Sequence, residues 1–536
     1  MSIRVSNLRL PIEAPESSLP SHLARALGVS APDLGRWRIV RKALDLRDKR
    51  QLRFVYNFEV DLPDATPRAA SNQGVQVELL DEPPFAMPNP GAAPLPYRPI
   101  VVGSGPGGLV CAYFLASLGY KPIVLERGTK VNDRIRDVKA FDAGGEFHPE
   151  SNYLFGEGGA GTFSDGKLTC RGTGPDVLRV LELFADCKGQ QPGKPSILYY
   201  HRPHLGSNRL PAVVKAIRQK IEDLGGEVRF LTRVEDLHFD ATGLKGVQTS
   251  SGFIPTSVVA LAIGHSARDT YRMLATRGVP MTPKPFQFGV RIEHRQDVVN
   301  AVQFGPRHEH FEELLGNADY SLVASGTHDL FTFCMCAGGY IIPSVSQDGF
   351  FCTNGMSLSK RDSVFANSGL VVTVPVEAFE GTDVLAGMRL QERYESKAFE
   401  VGGGRKYRSP VQRARDFLRG IATTAGPDCS YPRGVTPCDL RAVLPPFVAE
   451  AVAHGLPQMD RRWNGRFLAE AVLTGPESRG SSPVRIDRHN DSRESPGVPG
   501  LYPVGEGAGY AGGIVSAAVD GLRTARAIVA KYARTE

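Results

Sequence analysis

Pro99-Ile-Val-Val-Gly-Ser-Gly-Pro-Gly-Gly-Leu-Val-Cys-Ala-Tyr-Phe-Leu-Ala-Ser-Leu-Gly-Tyr-Lys-Pro-Ile-Val-Leu-Glu126 decides the fold. Ile100-Val101-Val102 reads as a buried parallel strand, and Gly103, Gly105 and Gly108 follow at G-x-G-x-x-G spacing. An apolar helix from about Gly108 to Leu118 closes at Gly119, and a second strand, Ile123-Val124-Leu125, ends on Glu126. Gly103 permits the tight turn, Gly105 lets a pyrophosphate approach the backbone, and Gly108 lets helix and strand come close. The helix N-terminus offers free N–H groups to phosphate. Glu126 lies 18 residues after Gly108, where a carboxylate accepts from ribose hydroxyls. The spacing predicts a dinucleotide site; a purely structural glycine turn leaves the acid unexplained.

The remaining chain sorts around this unit. At 536 residues, two or three domains are expected. A 41% hydrophobic and 22% charged composition suits a soluble globular protein, and a net charge of +6 is too small to imply nucleic acid. Eight scattered cysteines, with no C-x-x-C and no metal-ligand spacing, favour a reducing compartment and no bound metal. The N-terminus shows no signal pattern and no segment has the run of roughly 20 apolar residues that a membrane span needs, so the expectation is cytoplasmic.

Residues 1–80 predict a small α+β module: a strand at 3–10, a helix at 18–27, and strands at 37–44 and 52–60 around a turn at 45–49. Arg36, Arg38, Arg41, Lys42, Arg47, Lys49, Arg50 and Arg53 make this hairpin basic. A solvated face explains that charge better than a nucleic-acid surface, because no aromatic platform interleaves it. Residues 81–98 hold six prolines and read as a stiff linker. Residues 99–270 and 481–536 read as a discontinuous Rossmann-like α/β cofactor domain, with an α+β substrate domain inserted at 271–480.

Gly156, Gly158 and Gly161 repeat the glycine spacing, but no strand precedes them. They read as a loop, with Gly159, Ala160, Gly161 and Thr162 offering backbone to an anion or ring edge. Leu210 to Leu224 is an amphipathic helix, Glu227 to Val234 a strand, and Ser257 to Gly264 another. Late in the chain, Leu501-Tyr-Pro-Val-Gly-Glu-Gly507 is a strand and an acidic glycine turn, and a small-residue helix follows.

The early G-x-G-x-x-G with the late Gly-acid-Gly turn resembles FAD-binding flavoproteins of the glutathione-reductase structural group. The resemblance implies that Glu506 meets the ribityl chain or pyrophosphate, and that the backbone at Gly512 and Gly513 faces the flavin N1–C2=O edge. Phe155 to Leu168, Gly264-His-Ser-Ala-Arg-Asp-Thr270, Phe333-Cys-Met-Cys336, Asn354-Gly-Met-Ser357 and Ser481-Ser-Pro-Val-Arg485 resemble, in this order, a bacterial and plastid family of FAD-dependent dehydrogenase-like proteins. His204-Leu-Gly-Ser-Asn208 departs from that family's His-x-Gly-Thr-Asp pattern. The resemblance implies FAD and leaves the substrate open. The expected cofactor-binding set is Gly103, Ser104, Gly105, Pro106, Gly107, Gly108, Glu126, Arg127, Gly159, Ala160, Gly161, Thr162, Val234, Gly264, Gly505, Glu506, Gly512, Gly513 and Ile514.

For chemistry, His265 and Arg268 follow a sheet strand and are candidate catalytic groups, as is Lys167 beside Asp165, expected over the flavin ring. Arg479 and Arg485 are candidates for a substrate carboxylate. Cys334 and Cys336 share a strand face at C-x-C spacing; packing explains them better than a disulfide strained across one residue. No second nucleotide fingerprint exists, so NAD(P)H, if used, visits transiently. The expected activity is hydride transfer between a small molecule and flavin N5. The alternatives are an FAD-dependent monooxygenase and an RNA-modifying or RNA-binding flavoprotein using the basic hairpin. The sequence sets no oligomeric state.

Overall fold

The strands Leu501–Pro503, Val259–Leu261, Ile100–Val102, Ile123–Leu125 and Glu227–Arg229 form, in that spatial order, a five-stranded parallel sheet. Four of the five strands are wholly buried, because both faces of the sheet are covered. Helices Pro106–Ser117, Leu210–Asp223 and Ile514–Lys531 share one core with Val101, Val124 and Ala260. Ile100, Leu125 and Leu261 pack on the other face with the antiparallel strands Val234–Asp240 and Gly243–Thr249. The structure, a computed structural model, describes residues 2–62, 74–170, 172–190, 192–193 and 196–534.

Helix Pro106–Ser117 is apolar all round because it is enclosed all round. Its crossing with the last helix is so close that a Cβ on Gly521 would sit 2.0 Å from the Gly107 carbonyl oxygen. The expected strand 227–234 divides in two: Glu227–Arg229 joins the parallel sheet, and Leu231, at φ 53°, turns the chain into Val234–Asp240.

The chain leaves this layer through Met281–Pro283 and returns through Val484–Ile486, and these two strands pair antiparallel. Between them lies a seven-stranded sheet in the order 323–324, 330–336, 365–374, 286–295, 472–477, 409–413, 435–437. Phe286–Arg295 pairs with Phe365–Val374 along its full length, and helix Pro446–Arg462 contributes Val448, Val452 and Leu456 to the core it shares.

The N-terminal module is an antiparallel sheet in the order 37–45, 53–61, 2–11, 76–79, covered by helix Leu19–Leu27. The proline-rich stretch after it is a strap rather than a free spacer. Gly91 and Ala93 N–H donate to the carbonyls of Val529 and Lys531 at 2.8 and 3.0 Å, and Ala93 accepts from Ala533 at 2.8 Å. One side-chain expectation fails here. The strand Leu330–Cys336 loses register between Phe333 and Cys336, and Cys334 adopts φ 45°. This bulge separates the two cysteines: Cys334 is exposed and Cys336 buried.

Candidate functional site

Strand Ile100–Val102 ends at Gly103, whose φ is +97° and whose added Cβ would meet the Ala262 carbonyl oxygen at 2.4 Å. A Cβ on Gly108 would lie 1.9 Å from the Gly103 oxygen. These two glycines therefore serve packing. Gly105 differs: nothing lies within 4 Å of its Cβ position, which opens into a cavity of about 520 Å³. Gly105 is also the N-cap of helix Pro106–Ser117 and offers no side-chain cap, so the first-turn N–H groups stand uncapped at the cavity wall.

Glu126 is buried at the end of the neighbouring strand. Its Oε2 accepts from the Ser104 N–H at 2.9 Å and the Ser104 hydroxyl at 2.6 Å; its Oε1 accepts from the N–H groups of Gly128 and Gly156 at 2.8 and 3.1 Å. Four donors fill the four lone-pair positions of a carboxylate. Only the Ser104 hydroxyl can leave by a side-chain rotation, so it is the donor a ribose hydroxyl would replace.

The second glycine run folds as the loop its sequence suggests, ending in a helical turn, Gly159–Phe163. Gly158 N–H donates to the Ser104 carbonyl at 3.0 Å, and a Cβ on Gly159 would stand 3.1 Å from the Gly105 Cα. The buried Arg134 guanidinium pins this loop through the carbonyls of Asn152, Glu157 and Gly159 at 2.8, 2.9 and 2.8 Å. Burial pushes Arg134 down to about 9, with Glu126 and Glu157 opposing. Arg127 lines the cavity, pairs with Glu150 and Asp269 at 2.6 and 3.0 Å, and lies over the Phe155 ring.

At the late glycine turn, the Gly505 N–H donates to Asp520 Oδ2 at 2.7 Å. Asp520 is held by Arg488 at 2.7 Å and by Arg493. Glu506 faces the cavity, with His265 Nδ1 at 3.7 Å. Burial raises the Glu506 carboxyl to about 7, against the pull of Lys284. Burial, then Arg479 and Arg268, hold His265 down to about 3, so its ring is neutral. Gly512 is open on its Cβ side, and Gly513 begins helix Ile514–Lys531 without a side-chain cap. Two uncapped helix N-termini thus face one cavity.

Most of the expected residues come together here. Gly103, Ser104, Gly105, Pro106, Gly107, Glu126, Arg127, Gly159, Ala160, Gly161, Lys167, Val234, Gly264, His265, Gly505, Glu506, Gly512, Gly513 and Ile514 all line the cavity. Three expectations are corrected. Gly108 faces the strand. Thr162 is buried, its hydroxyl donating to the Glu157 carbonyl at 3.3 Å. Arg268 is buried away from the cavity, bound to Glu395 through both Nη atoms at 2.9 Å. Arg479, a candidate for a substrate carboxylate, reaches the cavity wall but also grips Glu395, at 2.7 and 3.0 Å, with the Ser266 and Ser346 hydroxyls at 3.2 and 2.5 Å. Arg485 stacks on Tyr510.

Lys167 pairs with Asp165 at 3.3 Å and donates to the Met335 carbonyl. Burial opposes its charge, but Asp165 holds its proton on, so it is a fixed cation rather than a base. Arg202, Asp319 and Tyr320 also line the cavity and carry no sequence signal, and Asn354 of the Asn354-Gly-Met-Ser357 motif lines it beside them. Among the described residues no helix is long and apolar enough to cross a membrane.

Comparison with known proteins gives a match to the FAD-dependent protein, C-terminal domain-like family over residues 285–480, to an NAD(P)-binding Rossmann-like domain over 101–154, and to a domain of unknown function over 2–61. A Clostridium beijerinckii protein, itself uncharacterized, is 39% identical over 537 residues and 99% of each chain. The chain belongs to this FAD-dependent family. Among solved structures, L-proline dehydrogenase from P. horikoshii (12% identity, TM-score 0.34, 81% of this chain and 93% of that one) and glycine oxidase from Bacillus cereus (14%, 0.32, 81% and 94%) are similar. Likeness at that level carries no inference about the reaction.

The residues present fit FAD. Gly105 and Gly512 leave backbone open where a side chain would fill the cavity, and the two uncapped helix N-termini suit anionic groups.

Proposed function

We propose that the protein is an FAD-dependent oxidoreductase, a dehydrogenase or reductase that exchanges a hydride with a small-molecule substrate. The observation that carries this reading is one continuous cavity lined both by the glycine turns and by strand residues of the inserted domain, including Phe333, Cys334 and Met335. FAD, when bound, supplies a two-electron acceptor or donor. Ser104, Gly105, Pro106 and Gly107, with Glu126, Gly159, Ala160 and Gly161, would hold its dinucleotide part. Gly512, Gly513 and Ile514 would place the last helix N-terminus against it.

The protein's own chemistry centres on Glu506 and His265. A carboxyl raised to about 7 takes up or releases a proton near neutral pH. Neutral His265 lies 3.7 Å away and adds no competing charge. This reading moves Glu506 from cofactor contact toward proton handling, and it leaves Lys167 as electrostatic support. Arg268 and Arg479 share Glu395 and tie the turn at 266–268 to the inserted domain, fixing the wall on which His265 stands.

The test is a metabolite screen with the FAD-loaded protein, read anaerobically as bleaching of the oxidised flavin absorbance. Bleaching by one metabolite class, with stoichiometric product, supports the reading. Bleaching by NADH or NADPH alone makes NAD(P)H the transient reductant. The substrate so found is then turned over in air, where a product carrying oxygen from O₂ overturns the dehydrogenase reading in favour of a monooxygenase.

A further inference from the structure

The N-terminal module packs against residues 199–201, next to Arg202, which lines the cavity. Its strand Trp37–Asp45 is a sheet edge, and edges normally need cover. Here residues 199–201 cover it. Lys42 N–H donates to the Tyr199 carbonyl and the Lys42 carbonyl accepts from the His201 N–H, both at 2.8 Å, as a parallel bridge. Glu16 of the same module fastens both sides, accepting from Lys42 Nζ at 2.6 Å and from the Tyr199 hydroxyl at 3.0 Å. The hairpin tip meanwhile enters the inserted domain: Leu52 is buried in that domain's core and Lys49 Nζ donates to the Val302 carbonyl at 2.6 Å.

The braced segment leads at once to Arg202. This residue lines the cavity, and its Nη1 donates to Asp319 Oδ1, on the inserted domain, at 2.8 Å. Side-chain exposures of 50% and 22% put this pair at the mouth rather than in the interior. Two residues on, His204 Nε2 meets the Ser357 hydroxyl at 2.8 Å, and Ser357 donates to Asp165. Asp165 in turn holds Lys167 and Arg361 at 3.3 and 3.2 Å. His201 and His204 are neutral, since burial lowers both. Arg202 and Asp319 balance each other, while two cations, Lys167 and Arg361, share the single carboxylate Asp165, so the cluster behind the mouth carries one excess positive charge.

We propose that Arg202 is a specificity residue that admits substrates bearing an anionic group such as a carboxylate, and that residues 2–61 position it by bracing segment 199–204. The proposal rests on the reading of this cavity as the substrate's, and it assigns the N-terminal domain a role at the site. Arg202 trades its bond to Asp319 for the incoming anion; the excess charge draws that anion in. The basic hairpin then serves as a brace, with Lys42 and Lys49 spent on contacts inside the chain.

Cys334 supplies a probe that needs no knowledge of the substrate, because it lines the same cavity and is exposed there. The full-length protein is alkylated with iodoacetate, an anion, or iodoacetamide, its neutral analogue, and the Cys334 peptide is quantified by mass spectrometry. Arg202→Gln is expected to lower the iodoacetate-to-iodoacetamide ratio roughly fivefold, and Asp319→Asn to raise it. Lys42→Pro removes the N–H that faces segment 199–201 while sparing an edge strand that tolerates proline. It is expected to lower the ratio as Arg202→Gln does and to speed amide exchange over 199–204 about tenfold. Lys42→Met keeps that N–H and gives up only the Nζ contact to Glu16, so it is expected to lower the ratio less than Lys42→Pro. Should Lys42→Pro not fold, the pair Glu16→Gln and Tyr199→Phe loosens the same brace from its side chains.

An unchanged ratio in Arg202→Gln overturns the specificity role. A lowered ratio there, with wild-type ratio and exchange in the brace variants, overturns the role of the module. FAD content is read by absorbance on the same samples: its absence would overturn the cofactor reading and leave the labelling ratios interpretable.

Discussion

Asp520 holds the Gly505 N–H at 2.7 Å across fifteen residues, and so shapes the turn that carries Glu506. Burial alone would raise the Asp520 carboxyl, but Arg488 and Arg493 hold it below its ordinary value. A depressed carboxyl contributes stability above the unfolded-state value, and that stability is lost as pH falls through the folded-state value. Asp520→Asn leaves two guanidinium groups under-compensated and is expected to cost roughly 3–5 kcal/mol. Urea melts at pH 7 and below pH 4 test this: the loss shrinks at the lower pH.

Glu126 and Ser104 should separate by degree. Glu126→Ala strands three buried backbone N–H groups and removes the ribose acceptor, so FAD affinity is expected to fall about 100-fold or more. Ser104→Ala removes only the hydroxyl a ribose would replace, and is expected to stay within about tenfold of wild type. Fluorescence titration of the apoprotein with FAD measures both.

The glycines of one motif should fail in different ways. Gly108→Ala places its methyl against the Gly103 oxygen and is expected to lower the thermal midpoint, since backbone must move. Gly105→Ala meets nothing, so it is expected to fold with wild-type stability as the apoprotein and bind FAD poorly. Calorimetry with and without added FAD distinguishes the two.

Glu506 sets an opposite pH dependence from Asp520. Its carboxyl is raised to about 7, so the folded state holds a proton the unfolded state has released. That contribution to stability is present below the ordinary value and is lost as pH rises through about 7. Glu506→Gln is expected to flatten the stability profile between pH 5 and about 8, and to remove an ionisation near 7 from the rate of flavin reduction. His265→Gln should leave that ionisation in place, because the ring is neutral throughout this range.

Local chemistry was legible in the sequence wherever neighbours in the chain are neighbours in space. The glycine turn, its two strands and Glu126 lie within 28 residues, and backbone sterics and strand spacing fix them before any tertiary contact forms. The loop at 156–161 was readable for the same reason: a glycine run with no preceding strand cannot open a Rossmann helix. Tertiary structure decided what depends on distant partners. Arg268 reads as a site residue because it follows a sheet strand, yet Glu395, 127 residues away, takes it into the interior. The acid that braces the late turn is Asp520, because the last helix folds back onto Gly505 and leaves Glu506 free to face the cavity. Arg202 and Asp319, 117 residues apart in the chain, meet only because the inserted domain folds against the segment that carries Arg202. A sequence determines the conformations that its own backbone sterics enforce; charge neutralisation and burial are settled by whichever partner the fold brings within about 3 Å.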